Sequence, residues 1–214
     1  VLGVPDDRYD DVVATLKHEI SVKYDNHLNT GIFGTQFFFE TLALNGLNDI
    51  AYNAMNQEDF PSFGNWIKQG ATVTWEKWNG ADSRNHPMFG GGLTWFYRIL
   101  AGVNVDAERP AYEHIIIKPI LDKRLPEVYY SHMTPYGEVV SEIRQTGRNL
   151  EMNVTVPVGS TATIYIPVGG NTSEVTESGI SVRDSKDVRF ERIQDGNCIV
   201  RVPQGKYKFK VDNQ

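Results

Sequence analysis

The periodicity of the chain changes once, near Pro110, and that change limits the possible folds more than any other feature. Upstream, apolar residues recur at helical spacing: Val12, Val13, Leu16, Ile20 and Val22 stripe one face of Tyr9 to Tyr24. A second helix is expected from about Phe33 to Leu44, stopped by Asn45-Gly46. Asn48-Asp49 is placed to cap a third over Ile50 to Met55. A fourth should follow Pro61-Ser62, with Trp66 and Ile67 facing inward. A fifth should follow Gly90-Gly91-Gly92, as Leu93 to Leu100.

Downstream the pattern is that of strands. His114 to Pro119 is a short apolar run closed by proline, and Val128-Tyr129-Tyr130 and Val139 to Arg144 flank a turn at Thr134-Pro135-Tyr136-Gly137. Leu150 to Val156 and Ala162 to Val168 alternate apolar with polar residues, and Tyr207 to Val211 is the last strand. Turn signals at Val158-Gly159-Ser160, Gly169-Gly170-Asn171, Asp195-Gly196 and Gln204-Gly205 space these runs as in a sandwich or barrel. The expected plan is α then β: about five helices in residues 1–109, then about eight strands in 110–214. So few helices would leave their inner faces uncovered.

Composition removes several chemistries. The formal net charge is −6 and there is no long basic run, which argues against a nucleic-acid partner. No apolar stretch has the length of a membrane span. Cys198 is the single cysteine, the five histidines are scattered, and no nucleophile elbow, phosphate loop, HExxH or dinucleotide motif occurs. Asn153-Val154-Thr155 and Asn171-Thr172-Ser173 match the glycosylation sequon, a pattern frequent by chance. The start, Val1-Leu2-Gly3, has neither an initiator Met nor a signal peptide and suggests a chain that begins inside a longer protein. The compartment stays open, with periplasmic or secreted favoured over cytoplasmic.

All four tryptophans fall between Trp66 and Trp95, and Trp75-Glu76-Lys77-Trp78 sets a carboxylate between two indoles. Sugar sites use this mixture: rings stack on the C–H face of a pyranose and a carboxylate handles a proton. The same residues also read as two core tryptophans beside a surface acid. His86, in Ser83-Arg84-Asn85-His86-Pro87-Met88-Phe89-Gly90, is either a donor to a sugar hydroxyl or a histidine that satisfies nearby carbonyls. The loop His27 to Thr35 either lines the same mouth or caps the helix after it.

Taken together, His27-Leu28-Asn29-Thr30-Gly31, Gly70 to Trp78, Ser83 to Gly90, Trp95-Phe96-Tyr97-Arg98 with Leu100-Ala101-Gly102, and Pro135-Tyr136-Gly137 resemble the bacterial α-L-rhamnosidases of glycoside hydrolase family 78. The resemblance is strongest from His27 to Gly102 and loosest beyond Val168. It implies the last helices of an (α/α)6 barrel, an incomplete toroid, followed by an antiparallel β-sandwich. It also implies hydrolysis of terminal α-L-rhamnosyl bonds with inversion. Glu76 maps onto the family's general base and His86 onto its substrate-contacting histidine, with Trp75 and Trp78 as nearby walls or supports. The implied partners are a rhamnose-containing glycan or glycoside and an upstream part of the same polypeptide; no metal and no organic cofactor is required. The family's general acid has no counterpart here, so the chain alone is expected to be inactive. Two other readings stay open: a different carbohydrate-active enzyme on the same toroid, and a carbohydrate-binding or structural module.

Overall fold

The computed structural model describes residues 3–168 and 174–212, and the chain divides into two compact units, Val1–Trp95 and Phe96–Gln214. The first unit is helical. Helix α1 (Tyr9–His18) runs on as a π-helical turn over Glu19–Lys23, so the expected Tyr9 to Tyr24 helix is continuous but loosens at its end. Helix α2 (Thr35–Leu44) buries Phe39, Leu42 and Ala43 and stops at Asn45-Gly46, where Gly46 has φ +73°. Glycine carries no Cβ penalty in that left-handed region, which is why it ends the helix.

Helix α3 (Asn48–Met55) departs from expectation at its start. Asn48 and Asp49 lie inside the helix, Leu47 holds the cap position, and no side chain caps it. The Asn48 amide oxygen instead accepts the Trp95 indole N–H at 2.8 Å, so a buried tertiary bond replaces the local one. In helix α4 (Phe63–Lys68) Ser62 does cap, accepting from the Asn65 amide at 3.0 Å. Trp66 faces inward as expected, but Ile67 is 72% exposed, because consecutive helical residues lie about 100° apart and the indole takes the inner side.

The expected Leu93 to Leu100 helix is replaced by a 3-10 segment, Pro87–Leu93, and a π-helical segment, Trp95–Leu100. The glycines explain part of this. A Cβ on Gly91 would stand 2.5 Å from the Cβ of Gln36, and one on Gly92 would stand 3.0 Å from the Phe39 ring. The segment therefore packs directly on α2.

The second unit is a pair of facing sheets. Their strands are β1 (Val103–Val105), β2 (His114–Ile117), β3 (Glu127–Thr134), β4 (Gly137–Thr146), β5 (Asn149–Val156), β6 (Thr161–Pro167), β7 (Glu174–Glu177), β8 (Ile180–Ser181), β9 (Arg189–Gln194), β10 (Asn197–Val202) and β11 (Gly205–Asp212). One sheet has the order β1-β2-β6-β10-β9 and the other β3-β4-β5-β11-β7-β8. Every pairing is antiparallel except β2 with β6, which is parallel, so the second unit is an antiparallel sandwich with one parallel contact.

The core follows from alternation. Ile115, Ile117, Ile164, Ile166 and Val200 from one sheet meet Val139, Ile143, Met152, Val154 and Phe209 from the other. Because side chains alternate along a strand, the residues between them point to the outer faces. Eleven strands stand among the described residues where about eight were expected: β1 and β8 are only three and two residues long, whereas six-residue β10, with Cys198, Ile199, Val200 and Val202 buried, lies between the turn signals at Asp195-Gly196 and Gln204-Gly205. The turn signal at Gly169-Gly170-Asn171 and the sequon at Asn171 lie outside the described residues.

Candidate active site

Five aromatic residues of the helical unit form one nucleus. Trp66, Trp75 and Phe89 are buried together, with Phe63 and Trp78 packed on them. The Trp66 ring centre lies 5.5 Å from that of Trp75, 4.5 Å from Trp78 and 5.2 Å from Phe89. Two indole N–H groups are spent inside this nucleus: Trp66 Nε1 donates to the Trp78 carbonyl at 2.8 Å and Trp78 Nε1 to the Thr30 carbonyl at 2.7 Å. The second bond ties the 27–35 loop to the tryptophan segment. In that loop the Thr30 and Thr35 hydroxyls bond each other at 2.8 Å, and Thr35 Oγ1 donates to the Gly31 carbonyl at 2.9 Å.

Trp75 is thus backing rather than an open stacking surface, while Trp78 is half-buried. Trp75 is 4% exposed, with the Arg84 guanidinium 4.6 Å from its ring centre. Gly80 lies against the same ring: a Cβ there would come within 2.8 Å of it, and the backbone sits at φ +73°. Both constraints require glycine at the turn.

The stretch from Thr74 to Glu76 pairs with the stretch from Ser83 to His86. The Glu76 amide donates to the Ser83 carbonyl at 2.8 Å, the His86 amide donates to the Thr74 carbonyl at 2.8 Å, and Thr74 Oγ1 donates to the His86 carbonyl at 2.7 Å. This clamp brings together two side chains ten positions apart. Glu76 Oε2 accepts the Ser83 amide at 3.2 Å and stands 4.0 Å from His86 Nδ1. That separation is too long for a direct hydrogen bond. The Glu76 side chain is 34% exposed, while Nε2 of His86 is shut off from solvent with no hydrogen-bond partner.

The arrangement has definite chemical capacity. The carboxylate is oriented by a backbone amide through one oxygen and retains acceptor capacity to bind and deprotonate a water. The orphaned imidazole nitrogen is a polar atom whose desolvation goes uncompensated. Of the residues singled out in the sequence, Glu76 and His86 meet at this point, and Trp75 and Trp78 flank Glu76 in the chain while their rings form the nucleus behind it. His27 sits elsewhere in the unit, with Nδ1 3.0 Å from the Tyr24 carbonyl and Nε2 2.9 Å from Asp59 Oδ1. The sequence does not mark the Ser83 amide or the Arg84 guanidinium. Ser83 contributes a backbone group, which residue type does not advertise, and the role of Arg84 exists only once the 76–83 turn closes.

Comparison with known proteins agrees with this architecture. Residues 2–100 match the bacterial alpha-L-rhamnosidase 6 hairpin glycosidase domain, and residues 102–181 match the bacterial alpha-L-rhamnosidase C-terminal domain. An alpha-L-rhamnosidase of Formosa agariphila is 30% identical over 198 residues, covering 87% of this chain and 21% of that protein. The solved alpha-L-rhamnosidase from Dictyoglumus thermophilum superposes with a TM-score of 0.87 at 34% identity, covering 98% of this chain and 24% of its own. The Streptomyces avermitilis alpha-L-rhamnosidase complexed with L-rhamnose gives 0.85 at 27% identity, covering 98% and 20%. The chain spans about a fifth of the length of the curated relatives it matches. With its helical unit matched to the six-hairpin domain and its sandwich to the domain that follows, the chain belongs to the bacterial α-L-rhamnosidase family.

Proposed function

We propose that this chain supplies one half of the catalytic pair of an inverting α-L-rhamnosidase, with Glu76 as the general base. The helical unit contributes to the catalytic domain, and the strands from Val103 onward form the sandwich. The substrate is a terminal α-L-rhamnosyl group on a glycan or glycoside, consistent with the L-rhamnose held by the Streptomyces avermitilis relative. Inversion requires two carboxyl groups roughly 6.5–9.5 Å apart, an acid for the leaving oxygen and a base for the attacking water. Glu76 takes the second role: it deprotonates a water on the face opposite the leaving group. A general acid from another part of the same polypeptide takes the first, so the 214 residues alone do not turn over substrate.

The single observation that carries the reading is the Glu76–His86 juxtaposition, a carboxylate fixed by the Ser83 amide 4.0 Å from an imidazole whose other nitrogen is orphaned. A substrate hydroxyl on the reachable part of the His86 ring, whose side chain is 26% exposed, would lie beside Glu76 and orient the sugar toward it. Trp75 and Trp78 support the segment from behind. In a longer protein containing this chain, Glu76→Gln should lower kcat on an aryl α-L-rhamnoside by about 10²–10⁴-fold, the usual worth of general-base catalysis. The melting temperature should stay within a few degrees. Turnover near the parent level would remove Glu76 from the mechanism.

A further inference from the structure

The outer face of the five-stranded sheet carries a built polar pocket with no role in the chemistry above. It lies wholly within the second unit and has a volume of about 190 Å³. That is smaller than the roughly 300–1,000 Å³ of a drug-sized site and suits one small ring. Its floor comes from strand alternation: Ile115, Ile164 and Val200 fill the core, so Ile116, Thr163 and Ile199 turn outward and line the pocket. The Tyr165 ring stands at the side, with the Lys118 ammonium 5.1 Å from its centre.

The charges are layered. Arg109, Arg192 and Arg201 face two carboxylates, Asp106 and Glu191. The acids are the inner partners, each 19% exposed, whereas Arg109 and Arg201 are 43% and 56% exposed. Arg109 is held by Asp106 at 3.2 Å and Arg201 by Glu191 at 3.5 Å. Arg192 donates to the Gln194 amide oxygen at 2.6 Å and pairs with no acid among the described residues. An incoming ligand therefore meets guanidinium groups first. Behind them, Glu191 Oε1 is buried; two guanidinium Nε atoms lie at 3.2 and 3.5 Å, but no hydrogen bond reaches it.

Those features specify a ligand with three parts: an anionic group for the guanidinium forks, hydroxyl donors for the partly exposed carboxylates of Asp106 and Glu191, and a compact C–H face for the isoleucines and Tyr165. We propose that this pocket binds a single acidic sugar unit, a hydroxylated ring carrying a carboxylate or a sulfate ester. Such a site would let the sandwich hold a charged glycan independently of Glu76.

Calorimetric titration of the full chain with D-glucuronate, D-glucose 6-sulfate, D-glucose and inorganic sulfate tests this. One acidic sugar should bind with a Kd on the order of 1 mM and weaken as salt rises. Whichever of the two binds more tightly identifies the anionic group. D-glucose and inorganic sulfate should each bind at least tenfold more weakly than that sugar. Arg192→Ala, a change at an exposed position, should weaken binding about tenfold while the melting temperature holds, and Arg192→Lys should restore part of it. Failure of both acidic sugars to bind overturns the proposal. So does equal binding of glucose or of bare sulfate, and so does indifference to Arg192→Ala. Arg192 takes no part in the Glu76 machinery, so neither result bears on the hydrolytic reading.

Discussion

At the scale of single residues, the helical unit separates two histidines by what their nitrogens face. His86 has a ring nitrogen without a partner, whereas both nitrogens of His27 face acceptors, the Tyr24 carbonyl and the Asp59 carboxylate. A neutral imidazole can donate through only one nitrogen, so both contacts are satisfied only when the ring is protonated. Burial pulls the His27 pKa down, but the Asp59 bond and the Tyr24 and Asp25 carbonyls outweigh it and hold the value above normal. A raised folded-state pKa gives stability that is complete below the unfolded value of about 6.5 and is lost as pH rises through the folded value. Asp59, held below the usual carboxylate range by the same contact, stays ionised throughout. The melting-temperature difference between the parent chain and Asp59→Asn should therefore be larger near pH 6 than at about pH 8.5. A difference that stays flat with pH would show that the pair does not form in solution.

At the scale of elements, what holds the candidate site is the aromatic nucleus behind it rather than a helix. Glu76 and His86 both sit on irregular backbone, and their approach depends on the paired segments 74–76 and 83–86. Those segments rest on Trp75, which rests on Trp66, the tryptophan that α4 turns inward. Trp66→Ala should destabilise the helical unit by about 3–5 kcal/mol, the usual cost of emptying a large aromatic site. It should also loosen the loop, since the indole that donates to the Trp78 carbonyl is gone. Chemical denaturation would measure the first effect, and hydrogen exchange at the Glu76 and His86 amides the second. Loss below about 1 kcal/mol would mean that the ring stack is not the support it forms in the fold.

At the scale of the whole molecule, large apolar side chains stay exposed in both units, Tyr129, Met133 and Val158 of the second among them. The sandwich closes on itself, burying core side chains from both sheets. The helical unit keeps Phe33, Phe37, Leu44 and Ile67 more than 60% exposed. Isolated exposed apolar residues are ordinary, but several large ones on a small helical unit make a sticky surface. Ile67→Lys with Phe37→Lys should change the unfolding free energy of this chain by no more than about 0.5 kcal/mol per substitution, because neither side chain is buried. The same pair should reduce self-association in sedimentation and lower binding of a hydrophobic dye. A large drop in stability would show that these residues pack in solution.

Helices before strands could be read from residue order alone, because hydrophobic periodicity follows from backbone geometry. The same reading placed α2, the β3–β4 turn, β5, β6 and β11 closely, since each carries a strong stripe, alternation or turn signal. The resemblance singled out Glu76 and His86. Where Ile67 points, why Asn48 forgoes its cap, and how the glycine-opened helix winds as 3-10 and π segments depend on packing between distant segments. That packing alone supplied the Ser83 amide at Glu76, the Arg84 cover on Trp75 and the layered arginines of the outer sheet face. The physical reason is common to all of these. Periodicity is written in side chains near one another in sequence, whereas orphaned atoms, backbone donors and stacked rings exist only after distant segments have been brought into contact.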